Sequence, residues 1–313
     1  MRWAILCIIT MAWAAPVHAA CPCTDVFKGE AQPFIAEGIA HDASANRFFV
    51  ASVATRRIVA IQGGRQSMFA RLPGDYSPLG IALSGETLWV TAATLPQGAG
   101  HDGPSALIAI DKGDGHARHV YPVPDQGKAA LNDLTFAPDG TVYASDSISG
   151  MLYRLSPTAS ALTRLKIVLK SPQGMAVSAD GKSLLVADYS LGLVKLDLSG
   201  NTFMPLRIPD GINVKGVDGL VRLPDGSFFA SQNGLKKPRI LRLSLSPDWT
   251  RLQSLDVVAA DDPTIADPSL VTADQSGAYV VGVSQWASFG NGLTPERPLQ
   301  PWRIVKLTLS AVR

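Results

Sequence analysis

The sequence predicts an all-β chain folded as a six-bladed β-propeller, and three observations carry that prediction. One strand–turn–strand pattern is written six times, its copies recur at a propeller-blade interval of about 40 to 50 residues, and long amphipathic helical patterns are absent. A β-sandwich has no need of the same sentence six times, and an α/β fold would require helices between the strands.

The copies begin at Glu37 (EGIAHDASANRFFVASV), Leu79 (LGIALSGETLWVTAA), Asn132 (NDLTFAPDGTVYASDS), Gln173 (QGMAVSADGKSLLVADYS), Asp218 (DGLVRLPDGSFFASQN) and Pro268 (PSLVTADQSGAYVVGVS). By subtraction the starts lie 42, 53, 41, 45 and 50 residues apart. Each copy opens on one residue ahead of a short apolar strand. A turn rich in Asp, Gly, Ser and Pro follows, then a second strand rich in Val, Phe, Tyr and Leu. A third strand comes next in every unit: RRIVAIQ, SALIAID, GMLYRLS, GLVKLDL, PRILRLSL and PWRIVKLTL. Several units show a fourth, such as RHVYPV and QSLDVV. One closed domain over residues 25–313 is the expectation. Its last blade needs an outermost strand, which the N-terminal segment DVFKGEAQPFI, residues 25–35, is placed to supply.

Residues 1–20, MRWAILCIITMAWAAPVHAA, read as a secretory signal peptide: Arg2, an apolar stretch from Trp3 to Ala15, then small residues. Cleavage after Ala19 or after Ala20 fits, and a periplasmic or secreted protein follows. The apolar run is shorter than the roughly 18 residues of a membrane span and is closed by Pro16, so no stable membrane anchor is expected. Removal of the signal takes Cys7 and leaves Cys21 and Cys23. A bridge across so short a loop is strained, and His18 and Val17 suit a lipoprotein signal poorly. Charged residues are 17% of the chain, below the usual quarter or so, with a net charge of +2 and basic residues in isolated pairs such as Arg56-Arg57. That pattern excludes a nucleic-acid-binding face. Nothing in it sets an oligomeric state.

In a propeller, equivalent residues of the blades form a ring around the channel. The first residues of the six units are Glu37, Leu79, Asn132, Gln173, Asp218 and Pro268, four of which carry side-chain oxygen. Two carboxylates and two amides suit a hard divalent cation, Ca²⁺ above all, with other divalent cations as alternatives. Without a cation the carboxylates repel each other and resist ionisation in the buried channel. Four donors also leave coordination positions open for water or substrate, as catalysis requires. The bland alternative is polar residues that bond neighbouring backbone, or an ion of purely structural use.

A second set, Asp146, Asp188 and Gln232, ends the second strands and either braces the ring or accepts hydrogen bonds from strand ends. Asp139, Asp180 and Asp225 stand in D-G turns and are turn formers. No G-x-S-x-G elbow is present. Of the histidines only His101, in the insertion LPQGAGHDGPSA, is placed to reach the channel mouth, where that insertion could serve as a lid.

The stretches AEGIAHD, LNDLTFAPDGTVYASDS, SPQGMAVSADGKSLLVADYS and GVDGLVRLPDG together resemble the senescence-marker-protein/gluconolactonase family of six-bladed propellers. The resemblance covers nearly all of the chain beyond its first twenty residues. It implies a channel metal, usually calcium, and hydrolysis of sugar lactones or related esters. On it, Glu37, Asn132 and Asp218 match metal ligands, and Asp218 also matches the carboxylate that activates water or attacks the substrate. Gln173 stands where family members commonly carry Asn, and its extra methylene sets that ligand apart. The second blade shows no match to the family's substrate-binding Arg and Asn, which argues against gluconolactone itself. The alternative from another class is a non-catalytic propeller whose loops bind a periplasmic ligand or protein partner.

Overall fold

A computed structural model describes residues 23–124 and 128–308; the signal segment 1–20 lies outside them. Six four-stranded antiparallel sheets are arranged as blades, each meandering from an innermost to an outermost strand. The chain starts with β1 (Cys23–Lys28). The first blade holds β2 (Ala36–Asp42), β3 (Arg47–Ser52), β4 (Arg57–Gln62) and β5 (Arg65–Arg71), and the second β6 (Ser77–Ser84), β7 (Thr87–Ala93), β8 (Ser105–Asp111) and β9 (Ala117–Pro122). The third is built of β10 (Leu131–Phe136), β11 (Val142–Asp146), β12 (Met151–Leu155) and β13 (Thr163–Val168). The fourth follows with β14 (Pro172–Val177), β15 (Ser183–Asp188), β16 (Gly192–Asp197) and β17 (Thr202–Pro205). The fifth has β18 (Val217–Arg222), β19 (Phe228–Gln232), β20 (Arg239–Leu245) and β21 (Leu252–Ala260). The sixth contributes only three strands of its own, β22 (Val271–Asp274), β23 (Gly277–Val283) and β24 (Arg303–Leu307).

Its fourth strand is β1, which pairs antiparallel with β24 from Cys23↔Leu307 to Lys28↔Arg303. The N-terminal segment favoured as the clasp therefore supplies it, and an Asp25–Arg303 ion pair ties the same two strands. Cys23 is disulfide-bonded, a bond that the sequence spacing does not disclose. The single α-helix among the described residues, α1 (Pro96–Ala99), is four residues long and lies in the insertion after β7. No helix of the described residues is long and apolar enough to cross a membrane.

Burial follows the strand alternation. Side chains on the two faces of each sheet pack against the neighbouring blades, giving one apolar cluster at each of the six interfaces. Phe49, Ile58, Leu88 and Ile108 fill the first-to-second interface, and Phe48, Tyr279 and Trp302 fill the seam between sixth and first. Full burial of each large side chain contributes about 1.5 to 3 kcal/mol before entropy is charged against it.

The inner strands explain how the ring residues face the axis. In five blades the pairing of the first two strands breaks at the ring residue and its successor: between Ala36 and Ile39, Pro78 and Ile81, Leu131 and Leu134, Pro172 and Met175, and Val217 and Leu220. Such a bulge bends the strand and re-aims its side chains. Freed backbone groups are taken up by hydroxyls of the second strand. Gly80 N donates to Thr91 Oγ1 at 2.7 Å and Gly219 N to Ser231 Oγ at 2.9 Å.

Four of the five successors are glycine because adjacent inner strands come too close for a side chain. A Cβ on Gly38 would stand 2.1 Å from the Leu79 carbonyl oxygen, and one on Gly174 would stand 2.4 Å from Leu220 N. The exception is Asp133, in the third blade.

Candidate active site in the channel

Glu37, Asn132, Gln173 and Asp218 converge at one end of the axial channel. Asn132 Nδ2 donates to Gln173 Oε1 at 2.5 Å, and Asn132 also hydrogen-bonds the Asp218 carboxylate. Asp218 is the largest charge acting on Glu37. Glu37, Asn132 and Asp218 are buried, and Gln173 is half-buried with its Nε2 on Ser171 Oγ at 3.2 Å. The two remaining ring positions differ in kind. Leu79 is buried hydrocarbon, and Pro268 offers a backbone carbonyl.

Several groups that the repeat did not reveal complete the site. Asn233, just beyond β19, donates from Nδ2 to Asp218 Oδ2 at 2.7 Å and to the Pro268 carbonyl at 2.9 Å. The Tyr189 hydroxyl in turn donates to Asn233 Oδ1 at 3.0 Å, so a Tyr189–Asn233–Asp218 relay fixes the carboxylate. Trp286, in a 3₁₀ turn (Trp286–Ser288) of the long loop between β23 and β24, donates its indole N–H to Glu37 Oε2. Asp267, held by Ser284 Oγ at 2.7 Å, acts on both Glu37 and Asp218 through its charge.

Burial dominates the electrostatics. It pushes Glu37 well above the ordinary carboxylate range, and Asp218 adds to the rise while the Trp286 N–H opposes it. Asp218 is pushed up to about 6 by burial and by Asp267, against the lowering pull of Asn233 and Asn132. Asp133, the half-buried successor of Asn132 that faces the other end of the channel, is pushed up to about 8, again chiefly by desolvation, with Asp218 adding to it. Among the described residues, no Lys or Arg is one of the leading influences on these three carboxylates. The site is therefore a buried anionic pocket without its own counter-charge, which a bound cation would offset.

That donor set fits a divalent hard cation. Among the described residues no three His, Cys, Asp or Glu side chains cluster into a metal site by themselves, so ligation would combine the Glu37 and Asp218 carboxylates with amide oxygens. Mixed carboxylate and amide oxygen is what Ca²⁺ accepts. The extra methylene of Gln173 does not turn its amide away, since Oε1 reaches Asn132.

The other sequence readings resolve by position. Asp146 Oδ1 accepts from Ala130 N, Ile148 N and Ser149 N, and Asp188 accepts from Lys170 N and Ser171 N at one oxygen and from Ser190 N and Leu191 N at the other. Gln232 donates to the Asn213 and Lys215 carbonyls. These three tie strand ends together. Asp139, Asp180 and Asp225 accept from the backbone N–H two residues on, as turn formers do.

A cavity of about 670 Å³ opens beside the ring, lined by Leu79, Asn132 and Trp286 and, at its rim, by His101, Asp102 and Lys128. The second-blade insertion does reach over the site, where Gln97 Nε2 donates to the Gly290 carbonyl of the sixth-blade loop at 2.7 Å. His101 points to its own loop, its Nδ1 3.1 Å from the Ala99 carbonyl oxygen. A cavity of about 600 Å³ at the opposite end of the channel is lined by His41, Asp133, Arg222 and Asp274 and by none of the four ring oxygens' owners.

The fold is shared with solved enzymes. A gluconolactonase from Xanthomonas campestris matches with a TM-score of 0.60 at 18% identity, over 89% of this chain and 88% of that one. Virginiamycin B lyase from Staphylococcus aureus matches with 0.61 at 16%, over 92% and 99%. A luciferin-regenerating enzyme matches with 0.63 at 15%, over 93% and 96%. At such identities the likeness establishes the six-bladed fold alone. No family model matches the sequence, and no curated protein matches it.

Proposed function

We propose that the protein is an exported, calcium-dependent hydrolase of a lactone or related ester. The observation that carries this reading is the gathering of Glu37, Asn132, Gln173 and Asp218, distant in sequence, into one buried anionic pocket, which the neighbouring cavity of about 670 Å³ meets at Asn132. The solved gluconolactonase of the same fold supports it, as does the secretory layout of residues 1–20, which puts the reaction in the periplasm or outside the cell.

Glu37, Asn132, Gln173 and Asp218 would hold the cation. When bound, a divalent ion supplies polarisation of the substrate carbonyl. Asp218 is the residue placed to take the proton of the attacking water. With the cation in place Asp218 would be ionised, as a proton acceptor must be. Asn233 and Tyr189 hold it in one orientation, so little reorganisation accompanies the proton transfer. The Trp286 indole N–H fixes Glu37.

Calcium binding by calorimetry and ring opening across a lactone and ester panel test this reading, in the wild type and in Asp218→Asn. Calcium binding with turnover that the variant loses is the expected result. Bound calcium with no turnover on any member would instead favour a non-catalytic, ligand-binding propeller.

A further inference from the structure

We infer that Gln285 is a positioning residue for the cation site: it holds the backbone that aims Glu37 and so sets how tightly calcium is bound. This assignment rests on the calcium-dependent reading above. Three consecutive residues beyond β23 grip the four residues that end at Glu37. The Ser284 carbonyl accepts from Ala36 N at 2.8 Å. Gln285 Oε1 accepts from Phe34 N at 3.1 Å and from Ile35 N at 3.2 Å. Trp286 then donates its indole N–H to Glu37 Oε2. Gln285 is buried, and its Nε2 donates to the Gln300 carbonyl at 2.7 Å, at the far end of the same sixth-blade loop. One side-chain amide therefore joins the base of the loop that carries Trp286 to the lead-in of the strand that carries Glu37. Neither segment can shift without leaving buried polar groups unpaired.

The backbone shows that this arrangement is held rather than relaxed. Ile35 has a φ of 47° and Gln285 a φ of 77°, in a left-handed region that side chains seldom enter and that a β-branched one resists most. Such conformations persist where the surroundings over-determine them, and they gather at functional sites. Here the two outliers are bonded to each other, Ile35 N to Gln285 Oε1. Ile35 is fully buried in an apolar cluster with Val53 and Leu79, against which Trp286 packs, and its carbonyl accepts from Val53 N at 3.0 Å. Closing the circle is already the work of β1 on β24. The strained pair falls instead two residues before Glu37 and one before Trp286, the ligand and the group that fixes it.

The test is calorimetric titration of the full chain with calcium chloride, in the wild type, Gln285→Asn and Gln285→Gly. Both replacements tolerate a φ of 77° better than glutamine does, so the turn survives. Asn is one methylene too short to reach both amides, and Gly has no side chain to offer. Each is expected to weaken calcium binding roughly 10- to 100-fold. Lactone turnover lost at low calcium should return as calcium is raised, a recovery that a misfolded chain would not show. Combining Gln285→Asn with Trp286→Phe should weaken binding by less than the product of the two single losses, because both act through Glu37. Unchanged calcium affinity in either Gln285 variant, or losses that multiply in the double variant, overturns the assignment and leaves Gln285 a plain tie between blades. A wild type that binds calcium but opens no lactone overturns the hydrolase reading alone, and the calorimetry then decides the assignment by itself. A wild type that binds no calcium overturns both.

Discussion

Asp218→Asn should make the calcium-free protein more stable while it removes activity. Asp218 has its folded pKa raised from the ordinary Asp value of 3.8 to about 6. The stability it contributes is therefore complete below the unfolded carboxylate value near 4 and is lost as pH rises through about 6. A rise of that size corresponds to about 3 kcal/mol at pH 8, where the native carboxylate is ionised against burial and against Asp267. An amide keeps the shape and still accepts from Asn233, so most of the penalty disappears. For a chain of this length, about 3 kcal/mol moves the melting temperature by roughly 5 °C. Thermal unfolding followed by circular dichroism in EDTA, from pH 4 to 8, reads the effect directly. The variant should melt with the wild type at pH 4 and above it at pH 8, and calcium should close the gap by stabilising only the wild type. A variant that melts at or below the wild type at pH 8 in EDTA refutes the argument that the pocket is an uncompensated anionic site.

Three further outcomes follow from the same geometry. Trp286→Phe deletes the N–H that holds Glu37 but keeps the apolar ring, so calcium affinity measured by calorimetry should fall roughly 10- to 100-fold with the fold intact. Gln173→Leu removes the acceptor that orients Asn132 and should weaken calcium binding as well, while the melting temperature in EDTA changes little. Gly219→Ala drives a Cβ to 2.8 Å from Val271 N, where neither backbone can retreat, and urea unfolding should show a loss of at least about 2 kcal/mol.

The propeller was legible because a ring repeats its unit, and the repetition is written in full, down to the Gly after each of four ring residues. The same device located Glu37, Asn132, Gln173 and Asp218, since they occupy equivalent places. It could not find residues that break equivalence. Trp286 comes from a loop that only the sixth blade possesses, and Asn233 stands one residue past a strand end that the other blades use differently. Asp267 precedes Pro268, whose ring position looked inert because its own side chain carries no oxygen. Asp133 follows its ring position and so falls outside a reading built on the ring residues alone. Its signal was present all the same, as the one charged residue where Gly38, Gly80, Gly174 and Gly219 mark the bulge.

The β1–β24 pairing also dictates the timetable of assembly. Its partners, Cys23 and Leu307, are far apart in sequence, so the sixth sheet stays one strand short until β24 has been made. Five sheets can form as they emerge, but the circle locks only when the last hairpin meets a strand made first. Contacts of such long sequence separation are slow to form and late to contribute. A chain so wired keeps an unpaired β edge until β24 arrives, and a cut just after residue 28 would leave the tie between first and last blades held only by pairing and packing.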